Sequence, residues 1–181
     1  TGQALIEPRV VSELPQDVTT VAELLKTAGY ATAHFGKWHV GKTDPRVHGF
    51  DESDGATSNS GPENSRNPNP KQAYGMAERG IGFIRRQAKA NKPFYVQLSQ
   101  YGGRSQADAK PETFEKVLQL GLGRDQRNMG AAAVALDMDI TIGMLLSTLD
   151  ELNIADNTYV IYTADHGTPG RNGPLQGGKG G

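Results

Sequence analysis

The pattern of apolar and polar positions predicts helices and strands that alternate along the chain. Residues 18–29 carry an apolar stripe at helical spacing, Thr20 and Glu23 have the separation of a capping box, and Gly29 suits a helix end. A strand is predicted next, at 30–35. Further elements are predicted as a helix at 72–90, a strand at 94–99, helices at 111–120 and 130–152, and a buried strand at 159–163. This order favours an α/β layered fold around a mostly parallel sheet.

A long polar segment at about 44–70 interrupts this pattern. It is rich in Asn, Pro and Ser, and it predicts a surface loop of a length that is uncommon unless the loop binds something or moves.

The chain has 181 residues, of which 36% are hydrophobic, and this is enough for one domain with its own core. We therefore interpret 1–181 as parts of a single domain.

Composition and charge exclude several classes of function. The net charge is -1, from 19 basic and 20 acidic residues, so no basic field points to a nucleic-acid partner. The chain has no cysteine, which excludes disulfides, thiolate metal sites and a thiol nucleophile within it. No uninterrupted apolar run approaches the ~18 residues of a membrane span, so no span is expected. Oligomeric state does not follow from the sequence.

Two adjacent titratable residues follow the predicted strand at 159–163. Asp165 and His166 would lie just beyond its carboxyl end, where open α/β sheets bind their ligands. A carboxylate beside an imidazole could bind a metal, transfer protons or cap the next turn. The residues alone leave these alternatives open.

A second pair follows the predicted strand at 30–35. If the backbone stays extended, Lys37 and His39 point to one side and Trp38 to the other. A cation and an imidazole on one face could clamp an anion and move a proton. The alternative is a solvated lysine beside a hydrogen-bonded histidine.

Two further residues differ in what they suggest. Lys179 stands among glycines, which would let the backbone approach a ligand while the ammonium supplies a point charge. The same composition is typical of a terminal tail.

Asp137, inside the longest predicted helix, is expected to be a solvated or capping residue without a chemical role.

The motifs together resemble those of the sulfatase family, within the alkaline-phosphatase-like superfamily. They are Gly-Lys-Trp-His-Val-Gly at 36–41, Gly-Phe-Asp at 49–51, Asp-Ile-Thr-Ile-Gly at 139–143, Asp-Asn-Thr at 156–158 leading to Ala-Asp-His-Gly at 164–167, and Pro-Leu at 174–175 with Gly-Gly-Lys-Gly at 177–180. They occur in family order over nearly the whole chain. The resemblance implies an alkaline-phosphatase-like fold with a mostly parallel or mixed sheet, a divalent cation that is usually calcium (Ca2+), and hydrolysis of a sulfate ester.

The resemblance also implies roles for individual residues. Lys37 and Lys179 would bind sulfate oxygens, and His39 would act on the protons of the covalent nucleophile. Asp165 and His166 would ligate the metal. His166 departs from expectation, because calcium prefers oxygen ligands and an imidazole suits a softer ion.

The family's nucleophile motif does not occur in this sequence. Relatives convert the Cys or Ser of a Cys/Ser-x-Pro-x-Arg motif to formylglycine, and no such motif is present. Because a Thr-Gly pair typically follows that motif, the expectation is that formylglycine lies upstream of Thr1. The chain would then be an internal fragment, also without the family's C-terminal part, its sheet would be incomplete, and in isolation it would be inactive.

A second departure concerns the loop after the predicted strand at 94–99. Many relatives have a sulfate-contacting histidine there, whereas this chain has Arg104 at about that position. Arg104 could form a bidentate fork on an anion, or it could be a surface residue.

Three interpretations of the function follow. The first is hydrolysis of sulfate esters of carbohydrates or small molecules. The second keeps the fold but acts on phosphate or phosphonate esters, and the third is a non-catalytic anion-binding relative. The resemblance further implies a periplasmic or secreted protein.

Overall fold

A parallel three-stranded sheet organises the protein. The computed structural model describes residues 11–59, 69–103, 105–121 and 128–165. The strands are β1 (Ala31–Gly36), β2 (Glu52–Ser53) and β3 (Phe94–Ser99), in the order β2-β1-β3. Both neighbours run parallel to β1, with Ala33 opposite Glu52 and Ala31 opposite Phe94. The predicted α/β class with a parallel sheet is confirmed.

Within the described ranges, four α-helices accompany the sheet, close to the predicted positions. They are α1 (Val21–Thr27), α2 (Ala73–Lys89), α3 (Pro111–Leu120) and α4 (Met129–Glu151). Helix α2 packs on the sheet through a core of five buried residues, Ala31, Ala33, Phe35, Met76 and Phe83. This packing holds the carboxyl ends of β1 and β3 at a common edge.

Helix α1 begins with the predicted capping box. The Thr20 hydroxyl accepts a hydrogen bond from the Glu23 N–H at 3.2 Å, and the Glu23 carboxylate accepts one from the Thr20 N–H at 2.7 Å. The apolar stripe is not buried as its spacing suggested, since Val21 and Leu24 are 50% and 59% exposed. The capping hydrogen bonds therefore explain the position of this helix better than burial of its apolar stripe does.

Asp137, expected to be solvated or capping, lies instead in the interior. It is 2% exposed and accepts hydrogen bonds from three donors, the Tyr74 hydroxyl at 2.7 Å, the Lys110 N–H at 2.8 Å and the Thr113 hydroxyl at 2.7 Å. These donors belong to α2 and to the beginning of α3. Because a buried carboxylate needs such donors, Asp137 joins three helices at one point.

The segment at 44–70 contains regular structure that the sequence did not predict. Strand β2 lies within it, and Phe50 is 4% exposed against the sheet. The Asp51 N–H donates to the Thr32 carbonyl at 2.9 Å, and the Asp51 carboxylate accepts from the Thr32 N–H at 2.9 Å. These bonds join residues 19 apart, which a local pattern does not reveal. Residues 60–68 lie outside the described ranges.

The prediction of a buried strand at 159–163 is wrong. The segment is irregular, with Tyr159 99% exposed and Ile161 86% exposed. No backbone hydrogen bond joins it to any of the described strands. Its β-branched and aromatic residues favour extended structure, but a strand forms only where a neighbour accepts its hydrogen bonds.

Helix α4 bears on the expectation that the chain contains no membrane span. By length and composition alone it could cross a membrane, with a mean hydropathy of 1.6 over its most apolar window. This is weak evidence, because core helices of soluble proteins pass the same test. In this structure α4 packs against α2 and α3 and carries the buried, hydrogen-bonded Asp137.

Candidate active site

The loop that carries Lys37 and His39 continues directly from the carboxyl end of β1. Gly36 begins it with a φ of +97°, and a Cβ at this position would lie 2.1 Å from the Ser99 carbonyl oxygen and 2.5 Å from the Met76 sulfur. Only glycine fits so close an approach. The Lys37 N–H then donates to the Ser99 carbonyl at 2.8 Å, which ties the loop to the end of β3.

Thr57 holds the opposite side of this loop. Its hydroxyl donates to the Gly36 carbonyl at 2.5 Å and accepts from the Trp38 N–H at 2.9 Å. Its own carbonyl accepts from the His39 N–H at 2.9 Å. Three backbone groups of the loop are therefore hydrogen-bonded to one residue.

A partly buried ion pair lies under the first residue of the loop. The Asp54 carboxylate accepts from the Gly36 N–H at 2.8 Å and from the Arg79 guanidinium at 2.8 Å. The Asp54 side chain is 5% exposed, and the Arg79 guanidinium lies 6.0 Å from the centre of the Phe35 ring. A carboxylate this deeply buried needs both donors to offset its desolvation.

The backbone at His39 is left-handed, with a φ of +52°, so the loop is not extended as the predicted same-side arrangement of Lys37 and His39 requires. Such a conformation is uncommon for a residue other than glycine, and it persists where the surrounding structure imposes it. His39 is exposed and Lys37 is half-buried. An imidazole is thus presented to solvent while the cation lies closer to the protein.

His39 forms part of the wall of an open pocket of about 780 Å³. Glu13, Leu14, Lys42 and Thr57 also line it. The Leu14 N–H donates to the Val40 carbonyl at 2.8 Å, which fastens the opposite wall to the loop. The pocket offers groups of both charges next to an accessible imidazole.

Aromatic packing anchors the inward side of the loop. Trp38 lies edge-on to His34, with ring centres 5.1 Å apart, and 5.7 Å from the ring of the buried His48. The His34 Nε2 lies 3.1 Å from the Ser99 hydroxyl. Burial lowers the pKa of His34 from its ordinary value of 6.5 to about 4, against the opposing charge of Asp54. His34 is therefore neutral at pH 7.

This depressed pKa predicts a loss of stability in acid. Between pH 6.5 and 4 the unfolded chain binds a proton at His34 that the folded chain does not, so stability falls as the pH falls through this window and levels off below it. The contribution is at most about 1.4 kcal/mol per pH unit. Urea unfolding at pH 7, 5.5 and 4.5 measures it. An NMR titration in which His34 protonates near pH 6.5 would contradict the prediction.

The structure brings Lys37 and His39 into one short loop, but it does not unite all the predicted site residues. Asp165 is exposed at the end of the irregular segment after α4. Three other predicted residues, Arg104, His166 and Lys179, lie outside the described residues. In the part of the chain that the structure describes, no three His, Asp or Glu side chains are grouped so as to hold a metal ion. Asp165 therefore fits a metal only by the oxygen chemistry of its carboxylate.

The residues that hold the loop were not predicted from the sequence. Thr57 and Asp54 lie in the segment interpreted as a surface loop, and Arg79 lies on α2 among other charged residues. His34 occupies a strand whose neighbours are apolar, and this is the one local signal of a buried, hydrogen-bonded histidine. The others depend on contacts between distant parts of the chain.

Comparison with proteins of known sequence shows similarity along the whole chain. A family model described as Sulfatase matches residues 1–181. The human N-acetylgalactosamine-6-sulfatase is 31% identical over 204 residues, covering 95% of this chain and 37% of that protein. The ulvan-active sulfatase of Formosa agariphila is 26% identical over 185 residues, covering 85% of this chain and 36% of that protein. The chain therefore spans little more than a third of the length of these relatives.

Solved structures share the fold. Ps i-CgsB, in complex with k-i-k-neocarrahexaose, superposes with a TM-score of 0.75 and 21% identity, over 95% of this chain and 46% of that one. The PsFucS1 sulfatase from Pseudoalteromonas sp. gives a TM-score of 0.62 and 23% identity, over 86% of this chain and 38% of that one. At this level of identity the structures establish the fold alone. With a family model matched over its entire length, the chain belongs to the sulfatase family.

Proposed function

We propose that the full-length protein hydrolyses sulfate esters, with Lys37 and His39 in its active site. The observation that carries this proposal is the loop after β1, which holds a half-buried cation, Lys37, two residues before an exposed imidazole, His39, that lines an open pocket. In parallel α/β sheets, ligands bind at this end of the strands.

The two side chains suit different parts of the reaction. The Lys37 ammonium would bind sulfate oxygens and stabilise the negative charge of the transferring group, which is most effective for a cation held in place before the reaction. A ring nitrogen of His39 would move the protons of the nucleophile and of the products. Lys179 and Arg104 would add positive charge around the sulfate.

A divalent cation and formylglycine complete the proposed site. We assign Asp165 and His166 to the metal. The carboxylate oxygens of Asp165 suit calcium, whereas the imidazole of His166 would suit a softer divalent ion. A bound cation would supply further positive charge to the sulfate oxygens. In this proposal the formylglycine would come from outside the 181 residues, since no Cys/Ser-x-Pro-x-Arg motif occurs among them.

The relatives support carbohydrate sulfates as the substrate class. One is named for 6-sulfated N-acetylgalactosamine and another for ulvan, and one matching structure contains a neocarrahexaose. The pocket beside His39, with a carboxylate and an ammonium in its walls, offers hydrogen bonds to sugar hydroxyls. We therefore propose a sulfated saccharide as substrate.

The test is a hydrolysis assay on the purified full-length protein. Sulfated oligosaccharides and an aryl sulfate are compared with the matching phosphate esters, with and without a chelator. We expect sulfate release with the larger kcat/KM for the sulfate esters, its loss on chelation, and its recovery on adding calcium. Preference for phosphate esters would establish the phosphate hydrolase instead. Binding of sulfate without turnover of any ester would establish a non-catalytic relative.

A further inference from the structure

Thr57 is the residue in which the contacts of the Lys37–His39 loop converge. Its hydroxyl and carbonyl together bond Gly36, Trp38 and His39, at 2.5, 2.9 and 2.9 Å. Twenty residues of sequence separate it from Lys37. We propose that Thr57 is a positioning residue that sets the directions of the Lys37 and His39 side chains, an inference that rests on the proposed function of this loop.

The hydroxyl of Thr57 makes two hydrogen bonds to the loop backbone. A hydroxyl has one proton to donate, and in Thr57 the Gly36 carbonyl receives it while the Trp38 N–H binds the oxygen. Thr57 is 8% exposed, so water competes poorly for these bonds. The residue thus acts on the backbone on both sides of Lys37.

Two anchors then determine where Lys37 points. On one side the Lys37 N–H is bonded to the Ser99 carbonyl at the end of β3. On the other side the peptide groups before and after Lys37 are bonded to the Thr57 hydroxyl. Loss of the hydroxyl removes the second anchor and leaves the first in place.

The left-handed backbone of His39 requires a similar constraint. Its N–H is held by the Thr57 carbonyl, and its φ of +52° is a conformation that a non-glycine residue leaves when it is free to do so. Thr57 is itself held by a tight turn, in which its N–H donates to the Gly55 carbonyl at 2.8 Å. The catalytic imidazole is thus oriented by a residue that need not touch the substrate.

A substitution in the nearby Asp54–Arg79 ion pair would not test the positioning role equally well. Asp54 also bonds Gly36, but its removal would leave Arg79 beside a buried gap and would destabilise the fold. Thr57 is neutral, and valine has nearly its shape without the hydroxyl. Serine keeps the hydroxyl and lacks only the methyl group.

The experiment compares Thr57→Val and Thr57→Ser in the full-length protein. We expect Thr57→Val to lower kcat/KM for a sulfate ester by about 10²-fold, mainly through kcat, because small misplacements of catalytic groups cost this much. Thr57→Ser should stay close to the wild type. Thr27→Val, the same change on the exposed face of α1, is the control and should alter neither activity nor melting temperature.

Amide hydrogen exchange gives a second readout that does not require activity. In Thr57→Val the Trp38 amide should exchange about tenfold faster than in the wild type, and in Thr57→Ser at the wild-type rate. If the wild type hydrolyses no sulfate ester, the proposed function fails while this measurement still tests the positioning. Wild-type exchange in Thr57→Val, or equal losses of activity in both variants, would overturn the inference.

Discussion

Replacement of Lys37 by alanine should lower kcat/KM for a sulfate ester by about 10²–10³-fold, the usual effect of removing one preorganised group that stabilises transition-state charge. The effect should be large because Lys37 is half-buried and its backbone is bonded to both Ser99 and, through its neighbours, Thr57. A water molecule cannot supply the positive charge that the alanine variant lacks. Steady-state kinetics on the full-length protein measures the loss.

Two further variants make this result specific. Lys37→Arg keeps the charge but changes its shape, so it should recover only part of the activity. Lys116→Ala removes an equally charged but exposed side chain on α3 and should leave kcat/KM unchanged. Wild-type kinetics in Lys37→Ala, in a protein whose melting temperature is also unchanged, would remove Lys37 from the site.

Replacement of Asp137 by alanine should destabilise the fold by about 3–5 kcal/mol, because one buried and two partly buried donors would lose their common buried acceptor. The donors are Tyr74, Lys110 and Thr113, and they connect α2 and the beginning of α3 to α4. Burial, together with the hydrogen bond to the Asp137 carboxylate, raises the pKa of Tyr74. Urea unfolding followed by circular dichroism measures the change.

The control for this variant lies two residues further along the same helix. Asp139 is exposed, so Asp139→Ala should change the unfolding free energy by no more than about 0.5 kcal/mol. Asp137→Asn keeps the shape of the side chain and one acceptor oxygen. Its loss of unfolding free energy should therefore fall between those of the two alanine variants. A similar stability for Asp137→Ala and Asp139→Ala would show that the three hydrogen bonds contribute nothing net.

The elements predicted correctly are those that short stretches of sequence encode. The capping box of Thr20 and Glu23 starts α1, and Pro111 opens α3 at the first position of a helix, where its missing N–H costs nothing. The predicted order of strand, helix and strand also predicts the parallel pairing of β1 and β3, since the helix α2 lies between them in the chain. The motif that follows β1 likewise identifies Lys37 and His39 as a candidate site from sequence alone.

The errors concern strands whose existence depends on partners. The segment at 159–163 has strong strand preference but no neighbour among the described strands, and it stays exposed. Strand β2 has only two residues and no preference that distinguishes it, yet it forms because β1 supplies its hydrogen bonds. Pairing between distant segments decides both cases, and local propensity is too weak to override it.

The sequence by itself determined the helices, the two longer strands, the family motifs and the place of Lys37 and His39 at a strand end. Only the tertiary structure decided that Asp137 is buried, that His39 adopts a left-handed backbone, and that Thr57 holds the loop. The physical reason is that each of these features depends on a hydrogen bond or a close contact between residues far apart in the chain. Such contacts exist only once the sheet and α2 have brought those residues together.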